Sequence, residues 1–180
     1  MRRICRKKHD ACDRVAAVIE LLISCNPQGF NILLGKTPPP TPREIHEMMN
    51  AIRFPMPDDF KPTMPNNETE AERIVYDTDY FNKAIAMAGG WARIAKAVRS
   101  IKKSSPRVWR VVVDYEKFVQ SPIERYKSKL GFVANRNGIG VNTVLRYRRN
   151  FAYKLAYVCL LPSEDDEDFS LVSLPDFENI

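Results

Sequence analysis

Asn142 and Arg146 stand four residues apart in the chain, and Arg149 and Asn150 follow them. These side chains are suited to reading nucleic-acid bases. A guanidinium donates two parallel hydrogen bonds to guanine, and a carboxamide pairs with the adenine edge. At helical spacing, Asn142, Leu145, Arg146, Arg149 and Asn150 share one face. Val144, Tyr147, Phe151, Leu155 and Val158 recur every three or four residues on the other. The pattern predicts one helix with a buried apolar stripe and an exposed polar stripe. Asn142 and Arg146, near its N-terminal end, are the candidate base-reading residues. Asn150 completes the face. Thr143, Arg148 and Arg149 are candidate phosphate or edge contacts, as is Arg136 from the preceding segment. Lys127 and Lys129 extend the electrostatic footprint.

A reading helix must be presented by a tight turn that sets it at a steep angle to its predecessor. Gly138-Ile139-Gly140 supplies the residues for one. Gly138 stands where the first helix must stop, and glycine tolerates the left-handed conformation that stops it. Ile139 is placed to plug the space between the two helices. Gly140 is placed as the N-cap of the second, leaving its amides open to a phosphate. Val133 and Ala134 are expected to face inward, the small residue at 134 allowing close approach.

The charge distribution points the same way. The net charge is +6, but from Lys96 to Lys154 there are 15 Lys/Arg against 3 Asp/Glu. From Leu161 to Ile180 there are 7 acids and no bases. A basic body with an acidic end suggests a polyanionic partner. The acidic tail has two readings: a disordered solubilising end, or a segment that folds back onto the basic helices and weakens non-specific DNA binding. In the second, deleting 163–180 is expected to raise that binding, most at low salt.

Other chemistries find little support. There is no P-loop, no HExxH and no nucleophile–base pair, and His9 and His46 are the two histidines. Asp77 and Asp79 are the nearest thing to a metal-dependent nuclease pair, but they read as a solvated helix edge. No enzyme activity is expected. Cys5, His9 and Cys12 fall at i, i+4 and i+7, and Cys25 could complete a zinc set. Three ligands on one helix rarely complete a tetrahedron, and the spacing is not that of a standard finger. Reduced cysteines, with no metal and no cofactor, are the expectation. No run of 18 apolar residues exists, so no membrane partner is expected. The N-terminal stretch superficially imitates an export signal, but Asp10, Asp13, Arg14 and Glu20 interrupt its apolar core. A cytoplasmic location follows.

The elements that must position the site read as helices. Ala11, Val15, Val18, Ile19 and Leu22 mark an amphipathic helix over about 10–24. Residues 26–66 hold nine of the thirteen prolines and read as a semi-rigid connecting segment. Thr41-Pro42-Arg43-Glu44 opens one short helix within it, with a stripe of Ile45, Met48, Met49 and Ile52. The next helix is expected to start at Asn67, with Glu70 completing its cap, and Gly89-Gly90 to break it. Trp91, Ile94, Ala95, Val98 and Ile101 share one face of a further helix. Ser105-Pro106 starts another, whose Val111-Val112-Val113 run favours strand locally. Ser121-Pro122-Ile123-Glu124 is a capping box for the helix that leads into the turn. The fold class is all-α: a small helical bundle with a C-terminal helix-turn-helix, an N-terminal helix and a Pro-rich connecting segment. The chain divides into 1–25, 26–66, 67–160 with the helix-turn-helix at 122–160, and an acidic tail at 161–180.

Val133-Ala134, Gly138-Ile139-Gly140 and Thr143-Val144 together resemble region 4 of sigma-70-type factors. Where that family usually has Ser or Thr before the recognition helix, this chain has Gly140. The wider layout is similar to phage late-gene transcription activators of the RinA/ArpU type. The resemblance implies binding of double-stranded DNA near a promoter and recruitment of host RNA polymerase. The alternative is a small terminase subunit that recognises DNA for packaging. A terminase needs a ring, whereas an activator needs at most a dimer, and the sequence leaves a homo-oligomer open.

Overall fold

A computed structural model of the chain describes residues 2–52, 69–119 and 126–161, with side chains at 10–51, 69–117 and 130–161. Among the described residues there are eight helices and no strand. They are α1 (Arg2–Cys25), α2 (Gly29–Leu33), α3 (Pro42–Ile52), α4 (Glu70–Met87), α5 (Gly90–Ser104), α6 (Pro106–Val119), α7 (Tyr126–Asn137) and α8 (Val141–Leu160). The all-α expectation holds. The capping box at Ser121 and the acidic tail beyond Leu161 lie outside the described residues.

Helix α8 is the centre of the bundle. It packs most extensively on α1 and also touches α5, α6 and α7. Its predicted stripe is the core: Val144, Phe151 and Leu155 are fully buried, and Tyr147 and Val158 nearly so. The N-terminal helix supplies the facing surface with Val15, Val18, Ile19 and Leu22. The two run antiparallel, because Cys12 meets Tyr153 and Glu20 meets Arg148. Residues read as an N-terminal piece and as a C-terminal one therefore share a single apolar core.

The connecting segment contains a helix that its composition concealed. Helix α2 buries Phe30, Ile32 and Leu33. Phe30 meets Trp109 edge-on at 5.0 Å and Phe151 at 5.6 Å, so this short helix wedges between α6 and α8. It can lie so close to α1 because Gly29 has no side chain, since a Cβ there would collide with the Leu22 carbonyl. Flanking Pro27 and Gly35 read as breakers in the sequence, and only burial of the three apolar residues between them shows the helix.

Local signals set most other ends. Thr41 and Glu44 form the expected capping box of α3: the Thr41 amide donates to the Glu44 carboxylate at 2.7 Å, and the Glu44 amide to the Thr41 hydroxyl at 3.3 Å. The stripe behind it docks on the bundle, with Ile45, Met48 and Met49 buried. For α4 the cap is Thr69 with Glu72, two residues beyond the Asn67–Glu70 expectation. A hydroxyl at Thr69 reaches the Glu72 amide, which gives the helix a reciprocal cap in that register. Gly89 and Gly90 both take positive φ, 81° and 83°; α4 ends at Met87, Gly89 is the N-cap of α5 and Gly90 its first residue. The Val111–Val113 run is helical as expected despite its local strand preference, and Val111, Val112 and Tyr115 form the buried side of α6. Tertiary burial there outweighs a propensity difference of about 1 kcal/mol or less.

Candidate nucleic-acid interface

The turn between α7 and α8 closes with two backbone hydrogen bonds. The Ile139 amide donates to the Ala134 carbonyl at 3.0 Å, and the Gly138 amide to Asn135 at 3.2 Å. Gly138 sits between them at φ 64°. This 6→1 and 5→2 pair is a Schellman motif, which satisfies the orphan carbonyls of α7 and reverses the chain in three residues. Val133 and Ala134 are buried beneath it, and Ile139 packs against the same core. Gly140, extended at φ −76° and ψ 156°, is the N-cap of α8 and makes no side-chain cap bond. Its carbonyl accepts the Thr143 and Val144 amides at 3.0 and 3.2 Å.

Beyond the turn, the two faces of α8 separate as their spacing predicts. Asn142, Arg146 and Arg149 are exposed at i, i+4 and i+7, one side of the helix. Thr143 and Asn150 are half-buried at its flanks. Leu145, expected on the open side, is half-buried and packs against the core instead. Two exposed apolar residues, Phe132 and Val141, stand on either side of the turn.

Arg148 is the clear departure from expectation. It does not face solvent: its side chain is 16% exposed, its Nη2 lies 2.7 Å from Glu20 of α1, and its Nη1 donates to the Tyr115 hydroxyl of α6 at 2.6 Å. The guanidinium also stacks over the Tyr115 ring at 5.0 Å. The phosphate role expected for it is withdrawn. Position 148 falls on the flank that α1 and α6 cover, so the charge serves the bundle.

Arg136 is exposed and also tethered. Its Nε lies 3.2 Å from Asp114, whose carboxylate accepts from Asn137 at 3.0 Å as well. Asp114 was missed in the sequence. The available signal was its isolation: no Asp or Glu occurs from Phe81 to Val113, and the first one after that stretch holds the end of α7 to α6. The side chains of Lys127 and Lys129 lie outside the described residues.

The residues considered for catalysis and metal binding sit elsewhere. Asp77 is not a solvated edge. It binds His46 Nδ1 at 2.6 Å, and Asn50 stands 2.9 Å from His46 Nε2. Both ring nitrogens are thereby engaged: the Asp77 contact holds α3 to α4, and the Asn50 contact lies within α3. Asp79 pairs with Lys83 at 2.6 Å. Cys12 and Cys25 are half-buried, and burial pushes both thiols up. Cys159 is pushed up by burial to about 12. None is primed as a thiolate. The side chains of Cys5 and His9 lie outside the described residues. Among those described, no group of three His, Cys, Asp or Glu is placed to hold a metal ion. None of the described helices is long and apolar enough to cross a membrane.

No family model, curated protein or solved structure matches the chain.

Proposed function

We propose that the chain is a sequence-specific DNA-binding transcription regulator that reads its site with the N-terminal half of α8. In this reading α7, the Gly138–Gly140 turn and α8 act as a helix-turn-helix. The supporting observation is the sorting of residues on α8. Asn142, Arg146 and Arg149 are open to solvent while Val144, Tyr147 and Phe151 anchor the same helix in the core. A reading element needs this combination, because base contacts of a few kcal/mol discriminate only when the helix that makes them is held rigidly. Arg136, beside the turn, fits a phosphate contact that positions the duplex.

The role that follows is non-enzymatic. Bound near a promoter, the protein would present other helices to host RNA polymerase, as a phage or prophage late-gene activator does. Selection of genomic fragments by the full chain, followed by footprinting, tests the assignment. Protection at a promoter supports it. Protection at a packaging-initiation site moves the protein to the small-terminase class, and absence of any enriched fragment removes sequence-specific binding altogether.

A further inference from the structure

Arg107 and Arg110 precede Asp114 by seven and four residues on α6, about 10 Å and 6 Å along its axis. At those spacings all three share one side of the helix. The adjoining side of α6 carries buried Val111, Val112 and Tyr115, whereas Arg107 and Arg110 are both exposed. Asp114 touches Arg136 and Asn137 at the last turn of α7. The side of α6 bearing Arg107 and Arg110 therefore leads directly to the α7–α8 turn. Its one acid, Asp114, is 7% exposed and already engaged. The stretch Phe81–Val113, to which both arginines belong, holds eight Lys/Arg and no Asp/Glu.

We propose that Arg107 and Arg110 form, with Arg136, a rail for the phosphate backbone of duplex DNA, extending the contact made at α8 along α6. The inference rests on the DNA-binding reading of α8 and adds the path that the duplex takes across the protein. Arginines one turn apart on a rigid helix suit a polyanion with regularly spaced charges. They carry no base specificity, because they stand away from the reading face and contact backbone only. The rail supplies affinity and orientation, while Asn142 and Arg146 supply sequence discrimination.

The test is the salt dependence of binding, measured by fluorescence anisotropy with the full chain and a 30-base-pair random-sequence duplex. The variants are Arg107→Gln with Arg110→Gln, and Arg43→Gln as an exposed charge-loss control on α3. Each lost phosphate contact lowers the slope of log affinity against log salt by about 0.9, so the double variant should lose about 1.8. Arg43→Gln should leave the slope unchanged. On a selected site, the double variant should keep the wild-type ratio of specific to random binding, whereas Arg146→Ala should lower it. An unchanged slope in the double variant overturns the rail and leaves the α8 reading intact. So does an equal fall in both variants, which would reflect net charge alone. A wild-type chain that binds no duplex sinks the α8 reading and the rail together.

Discussion

Arg148 of α8 and Glu20 of α1 meet at 2.7 Å, with the two side chains 16% and 25% exposed. The same guanidinium bonds the Tyr115 hydroxyl of α6. One arginine thus joins three helices around the core. Arg148→Met is expected to cost about 3 kcal/mol, chiefly because it strands the Glu20 carboxylate in a mostly dry site. Urea titration should show a lower midpoint at an unchanged m-value. The folded variant should retain the wild-type salt slope on random DNA. A slope reduced by about one would return Arg148 to the phosphate contacts.

Arg146, two residues earlier, is expected to behave in the opposite way. Arg146→Ala should change stability by less than about 0.5 kcal/mol, since its side chain is exposed and away from the core. On the selected DNA site it should cost about 1–3 kcal/mol. Competition titration against random duplex reads the difference. Equal losses on both duplexes would reduce Arg146 to a backbone contact.

Gly138 carries the turn at φ 64°, and a Cβ there would meet no atom within 4 Å. The loss from Gly138→Ala is therefore conformational alone, about 1 kcal/mol. Gly140 differs, because its φ of −76° suits any L-residue and it lacks a side-chain cap. Gly140→Ser should stabilise α8 by about a few tenths of a kcal/mol. Thermal melts of the two variants should move in opposite directions. A destabilising Gly140→Ser would show that the hydroxyl cannot reach the first-turn amides.

Glu116 of α6 accepts the Phe30 amide of α2 at 2.8 Å, and burial raises its carboxyl to about 7. The Phe30 hydrogen bond and Lys117 oppose that shift without cancelling it. The folded protein thus binds this proton more tightly than the unfolded chain, whose carboxyl titrates near the ordinary 4.5. Protonation favours the folded state, so stability from this group is fullest below about 4.5, falls as pH rises, and levels off above about 7. Glu116→Gln, which keeps an acceptor for Phe30, should flatten that part of the stability–pH curve. Denaturant midpoints between pH 4.5 and 8 provide the measurement, and an unaltered curve would assign the slope to other groups.

Much of the candidate site was legible because its signals are local. The Gly138 turn, the Gly140 cap and the alternation of Val144, Tyr147 and Phe151 with Asn142, Arg146 and Arg149 depend on residues within one or two turns of one another. Helical periodicity alone sorts such residues into inside and outside. The same holds for the Thr41–Glu44 box, where two side chains three residues apart satisfy each other's backbone. Helix α2 was not legible, since its Phe30 gains its meaning from Trp109 and Phe151, far away in the chain.

By itself, then, the sequence determined that this chain is helical, where most helices begin and end, and which side of α8 is apolar. Tertiary structure alone decided which basic residues are available to a partner. Arg146, Arg148 and Arg149 are chemically alike and almost adjacent, yet Arg148 is enclosed by α1 and α6 while its neighbours stay open. The physical reason is that flank positions of a helix take their environment from whatever packs beside them. Helix periodicity fixes an angle around the axis, and the long-range contacts of α1 and α6 determine whether that angle meets water or protein.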